Sequence, residues 1–242
     1  MSAPRKPLIV ALALTIGLAA FHRFGRPIWT PVYYGLVGKR TVDGVVATLG
    51  PGARERLAPY LERASVQETP ERVTLIAIKD ESRLEVWVGP ESSPTFVRAY
   101  AIARQSGTGG PKLREGDGQV PEGVYRIESL NPNSSYHLSM RVNFPNAFDL
   151  ARAAEEGRSE PGSDIFIHGK DVSIGCLAMG DEVIEELFVL AADVGVERMS
   201  LLIAPSDPRH APLEPRGPAW VAGLYATLTR AISRYPRPPE SP

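Results

Sequence analysis

Between Glu71 and Ala204 the chain repeatedly writes a short apolar or alternating run and then stops it with Gly, Pro, Asn, Asp or Ser. Runs of that length and pattern are strands. Val73–Ile78 and Arg83–Val88, separated by a polar turn, read as a hairpin, and "FVRAYAIA", "GVYRIESL" and "YHLSMRVN" add three strands. In the last of these Tyr136, Leu138, Met140 and Val142 share one face. "SDIFIH" alternates with Ile165 and Ile167 on one side and Phe166 and His168 on the other, and Ser200 to Ala204 is a further strand. Helical spacing occurs at three places. Thr41 to Ala64 carries Leu57, Leu61 and Ala64 and is interrupted by Pro59. "GDEVIEELFVLAADVG" places Val183, Ile184, Leu187, Phe188, Ala191 and Val194 on one stripe, with Asp181 as N-cap and Gly195 as stop. Trp220, Leu224, Leu228 and Ile232 form a third stripe, expected to pack on the core. The fold class is mainly β with peripheral helices, α+β, and its 22 Gly and 23 Pro suit a turn-rich domain.

Ahead of this lies Pro7 to Phe21, an apolar run preceded by Arg5 and Lys6. A charged stretch followed by an apolar one is the pattern of an export signal. The run is shorter than the ~20 residues of a full span, and no A-x-A site follows, which favours a retained anchor over a cleaved signal. Residues 1–40 are therefore expected to be a signal or anchor with its linker, 41–70 a helical spacer, 71–205 the catalytic domain, 206–235 a loop and a helix packed on it, and 236–242 a disordered tail. The protein is expected in the periplasm or cell envelope, held at the inner membrane. With 27 basic and 28 acidic residues nearly cancelling, no electrostatic case for nucleic acid exists.

"IHGKDVSIGC" holds the chain's single cysteine, Cys176, close to His168 and between Gly169 and Gly175. One cysteine cannot form an internal disulfide, and in an oxidising compartment a spare thiol is a liability. A strand ending at His168, a glycine-hinged loop and a helix entry just after Cys176 can bring imidazole and thiol together, and the helix dipole favours thiolate. This suits covalent catalysis, with Cys176 attacking and His168 moving the proton. The backbone N–H groups of Ile174, Gly175 and Cys176 are the natural oxyanion donors. Metal binding is the competing chemistry, but one Cys and one His supply two ligands where a structural zinc takes four, so no metal is expected.

The run "IHGKDVSIGCLAMGD" resembles the active-site segment of the L,D-transpeptidases, the YkuD-type cysteine enzymes of bacterial peptidoglycan, and in particular their YafK-like branch. "PKLREGDGQVPEGVYRI" and "NPNSSYHLSMRVNFPNAFD" are similar to two further stretches of that family. The resemblance implies an L,D-transpeptidase-like β-sandwich domain with Cys176 as nucleophile, His168 as general base and Ser173 and Gly175 as the small positions before the cysteine. It implies that the enzyme cleaves the bond between an L-diamino acid and D-alanine in tetrapeptide stems of peptidoglycan through a thioester, without a cofactor. The acyl group would pass to an amine acceptor peptide or to water. A hydrolase or amidase that releases peptides or wall-linked protein, and a catalytically idle peptidoglycan-binding module, are the alternatives. The chain departs from the better-known members at Ile174, where they carry a second histidine, and at Ala178, where they carry an arginine. Arg141 is the candidate replacement for that arginine, against a solvent-facing role. His137 and Lys112 are candidates for lining the groove or meeting a peptide carboxylate, against structural and solvated roles, and Gly169 allows close approach at its floor. Ser173 either orients His168 or caps the turn.

Overall fold

The computed structural model describes residues 25–238 together with 10, 14–18 and 21. Most of the apolar run Pro7–Phe21, together with His22 and tail residues 239–242, lies outside the described residues. No helix among the described residues is long and apolar enough to cross a membrane. The chain divides into two compact units, Met1–Arg40 and Thr41–Pro242. The first contains helix α1, Arg26–Val37, on which Ile28, Val32 and Leu36 are exposed at four-residue spacing.

The second unit is built on an eight-stranded mixed sheet. Its strands are β1 (Val73–Ile78), β2 (Arg83–Val88), β3 (Thr95–Ala101), β4 (Gly123–Asn131), β5 (Ser139–Val142), β6 (Phe166–His168), β7 (Leu177–Ala178) and β8 (Met199–Ala204). They lie in the order β3-β2-β1-β8-β4-β5-β6-β7. The hairpin read from the sequence is present with the same bounds. β1 is buried along its whole length because it runs between β2 and a parallel β8, with helices over both faces. Its Val73, Leu75 and Ala77 enter the larger core, and Ile76 and Ile78 enter a second core on the opposite side.

β4 joins two halves of the sheet. Gly123–Arg126 pair with β8, and after a register shift Ile127–Asn131 pair with β5. The sheet then closes on itself. Beyond β3, Arg104 exchanges both backbone hydrogen bonds with Ala178 of β7, at 3.1 and 3.0 Å, so the two ends of the strand order meet.

Helix α4 (Asp181–Val194) turns Ile184, Leu187, Phe188, Ala191 and Val194 into the larger core and ends at Gly195, as its spacing predicts. Its cap differs from the expectation. Gly180, at φ 81°, is the N-cap, and Asp181 is the first helical residue. The Asp181 carboxylate is drawn to Lys170, accepting from its backbone N–H at 3.0 Å and pairing with its ammonium. The expected spacer is one 22-residue helix, α2 (Val42–Arg63), which runs through Pro51 and Pro59 and packs on α4. It starts where Thr41 Oγ1 accepts from Gly44 N at 3.0 Å, and it buries Val45, Ala53 and Leu57. Arg54 pairs with Asp193 at 2.7 Å, and Arg56 pairs with Glu185 and Glu186 at 2.9 and 3.0 Å.

Helix α5 (Val221–Ile232) covers the second core with Val221, Leu224, Tyr225, Leu228 and Ile232. Trp220, just before it, stacks edge-on against Phe148 and donates to Glu156 at 2.9 Å. The start of the expected tail is anchored as well. Tyr235 OH lies 3.0 Å from Thr74 Oγ1, and Pro236 O accepts from Arg209. Helix α3 (Ala147–Glu155) has no counterpart in the strand-and-helix reading above. Its signal is a capping box, in which Asn146 Oδ1 accepts from Phe148 N and Asp149 N while Asp149 Oδ2 accepts from Asn146 N at 2.9 Å.

Candidate active site

β6 and β7 run parallel, with Ile167 opposite Leu177 and His168 opposite Ala178. Ile167 and Leu177 point into the larger core. Alternation therefore sends His168 and Ala178 to the other face, and one step back along the register sets Cys176 opposite Phe166 on that same face. His168 and Cys176 are diagonal neighbours on one face of two adjacent strands. The two residues of β7, Met179 and Gly180 separate Cys176 from α4, so the thiol stands one short strand away from the helix entry and not directly at it.

The imidazole is buried, and Tyr136 stacks over it at 4.7 Å between ring centroids. His168 Nδ1 lies 2.6 Å from Gly169 O. A carbonyl oxygen only accepts, so Nδ1 carries the proton, and Nε2 of the neutral ring keeps the lone pair a base needs. Burial holds the imidazole pKa below its ordinary value, with the Gly169 hydrogen bond opposing. The Cys176 thiol is pushed up by burial, against the Phe166 backbone N–H and the charge of Lys112. Its hydrogen-bond acceptor is Asp164 O at 3.7 Å. Both shifts favour uncharged partners. Dehydration thus works against the preformed thiolate that the sequence had suggested.

The loop between the two residues is tightly tied. Ser173 Oγ donates to Cys176 O at 2.6 Å and accepts from Cys176 N at 3.0 Å, so this hydroxyl closes the turn and does not orient His168. Gly175, at φ 90°, donates its N–H to Ser106 Oγ at 2.7 Å. Of the three amides expected to form an oxyanion hole, those of Gly175 and Cys176 are thus occupied by the protein's own hydroxyls, while Ile174 is 86 % exposed. A Cβ at Gly169 would stand 2.6 Å from Tyr136 O and 2.8 Å from Asp181 Oδ1, which explains glycine there.

The three expected substrate contacts fall differently. His137, at φ 78°, binds Glu185 of α4 through Nε2 at 2.8 Å, a structural pairing. Lys112 is buried and pairs with Asp117 at 2.7 Å; its charge bears on the thiol, but it is no solvated loop lysine. Arg141 pairs with Glu128 at 3.2 Å and with Asp164 at 3.5 Å.

Sequence reading missed the support beneath the loop. Lys79 at the end of β1 is buried and reaches Glu122 at 2.8 Å, Val120 O at 3.0 Å and Gly110 O at 3.3 Å. Glu122 also accepts from Gly110 N at 2.8 Å and from Tyr225 OH at 2.6 Å. This buried ion pair pins both ends of the stretch 110–122, and with it Gln119, whose carbonyl would stand 3.3 Å from a Cβ at Gly175. Nothing local in the sequence marks Ser106 or Tyr136, because their partners are 69 and 32 residues away.

Comparison with known proteins finds relatives of this chain. YafK of Escherichia coli K12 and its counterpart from E. coli O157:H7 are 34% identical to this chain over 139 residues. Those residues are 57% of this chain and 54% of each relative, so the chain spans about half the length of the curated relatives it matches. Among solved structures, the helical cell shape determining protein Pgp2 of Campylobacter jejuni superposes with a TM-score of 0.46 at 17% identity, covering 62% of this chain and 55% of that one. Bd1075 of Bdellovibrio bacteriovorus gives 0.42 at 19% identity, covering 68% and 56%. The family described as YkuD, the L,D-transpeptidase catalytic domain, matches residues 70–197, a span that opens just before β1 and takes in both His168 and Cys176. The chain belongs to the L,D-transpeptidase catalytic domain family.

Proposed function

We propose that this protein is a cysteine-dependent peptidoglycan L,D-transpeptidase. Cys176 attacks the amide joining the L-centre of a diamino acid to D-alanine in a tetrapeptide stem. The observation that carries the reading is the β6–β7 register, which presents His168 and Cys176 on one face within a matched family domain. His168 Nε2 accepts the thiol proton as the sulfur bonds to the carbonyl carbon, and the same proton then goes to the departing amine of D-alanine. An acceptor amine resolves the thioester and restores the thiol. Because the amides of Gly175 and Cys176 are engaged at rest, binding of the carbonyl must draw at least one of them from its serine. Residues 1–40 serve as an export signal and membrane tether, a reading supported by Arg5 and Lys6 ahead of the apolar run.

Purified tetrapeptide muropeptides provide the test. Release of free D-alanine together with cross-linked dimers, or exchange of an added D-amino acid into the fourth position, is the expected result, and Cys176→Ala should abolish it. Tripeptides alone would identify a hydrolase. Release of wall-linked protein without D-alanine would identify the amidase, and no cleavage by an enzyme whose Cys176 alkylates normally would end the peptidoglycan reading.

A further inference from the structure

The cations around the Cys176 loop differ in what already holds them. Lys112 is committed to Asp117, Lys170 to Asp181, and Arg141 to Glu128 and Asp164. Arg104 is exposed and has no carboxylate partner among the described residues; its side chain donates from Nε to Asp171 O at 3.0 Å. Its place in the sheet is set by the backbone bridge to Ala178. Residues that exchange both hydrogen bonds across an antiparallel bridge project their side chains to the same face. His168 is paired with Ala178 from the other side. His168, Ala178 and Arg104 therefore form one row across three neighbouring strands, on the face that Cys176 shares and that looks away from Ile167 and Leu177.

We propose that Arg104 is the specificity-determining cation of this site, binding the terminal carboxylate of the D-amino acid that follows the scissile bond. The proposal rests on the stem-peptide reading above. That leaving residue carries its carboxylate one carbon from the amide nitrogen, so a cation serving it must lie beside the Cys176–His168 pair. The Nε hydrogen bond to Asp171 O fixes the side chain over the loop and leaves Nη1 and Nη2 as a planar fork suited to a carboxylate. Alanine at 178 leaves room for a side chain arriving from the neighbouring strand. Arg141, the candidate from sequence, is already neutralised by two carboxylates of its own.

Two measurements test this. With tetrapeptide substrate, wild type should prefer the free C-terminal D-alanine over its C-terminal amide by about 10- to 100-fold in kcat/KM, the range for a hydrogen bond to a charged group. Arg104→Gln should lose most of that preference, chiefly through KM, and Arg104→Lys should regain part of it. Independently of any peptide, the ratio of Cys176 alkylation rates for iodoacetate over iodoacetamide should fall several-fold in Arg104→Gln and recover in part in Arg104→Lys. An unchanged preference or ratio in Arg104→Gln, or their loss in Arg141→Gln instead, overturns the proposal. Should wild type cleave no stem peptide, the peptidoglycan reading fails by itself, and the iodoacetate ratio still decides whether Arg104 is the anion-binding cation.

Discussion

At the scale of single residues, the chemistry of the site is set by dehydration. Burial raises the pKa of Cys176 and lowers that of His168, and both shifts favour the uncharged forms. Alkylation of Cys176 by iodoacetamide should accordingly keep rising with pH and reach its half-maximum above the roughly 8.5 of a free thiol. A half-maximum at or below pH 7 would show an ion pair already formed. In His168→Ala, D-alanine release should drop by about 10²- to 10⁴-fold, the usual contribution of a general base. Alkylation above the thiol pKa should hardly change, since hydroxide then does the deprotonation. The proximity of a lone cysteine to a histidine was legible in the sequence, but the direction of the two shifts was not. It depends on how deeply both groups are buried, to which Tyr136 contributes from 32 residues away in the chain.

At the scale of elements, α3 shows how a cap can carry a pH dependence. Asp149 sits at the third position of the capping box, accepts from Asn146 N, and lies 3.3 Å from Tyr125 OH. Burial raises its pKa from 3.8 to about 6, despite those hydrogen bonds. Between those two values the folded state holds more protons than the unfolded state, so this group's contribution falls as pH rises from 4 to 6 and is level above. The amplitude is at most about 3 kcal/mol, one pKa unit being ~1.4 kcal/mol. Urea denaturation of Asp149→Asn should show a smaller loss of stability across that window than wild type, with no difference in slope above pH 7. Equal slopes between pH 4 and 6 would show that the carboxyl is already ionised there. The motif N-A-F-D was visible in the sequence, yet the burial that penalises its charge was not, nor was the opposing hydrogen bond from Tyr125 of β4, 24 residues away.

At the scale of the whole molecule, the question is where the folding unit begins. Thr41–Pro242 is compact in itself, and α2 belongs to it through Val45 and Leu57, each worth about 1.5–3 kcal/mol when buried, and through its pairs to α4. A chain beginning at Thr41 should therefore be soluble without detergent and melt cooperatively. One beginning at Glu71, within a residue of where the family match opens, should melt at markedly lower temperature or aggregate, since the α2-facing surface of α4 would be bare. Indistinguishable melting of the two chains would return α2 to the role of a spacer.

What the sequence determined by itself is what depends on neighbours in the chain. The β1–β2 hairpin, the stripe and stop of α4, the core face of α5, and the alternation that ends a strand on His168 all follow from periods of 2 and 3.6 and from turn residues. Tertiary structure alone decided the rest. The bridge from Arg104 to Ala178, the capture of the Gly175 amide by Ser106 and the buried Lys79–Glu122 pair join residues far apart in the chain. No local pattern encodes such meetings. They are selected when the sheet closes and every backbone group and charge removed from water must find a partner.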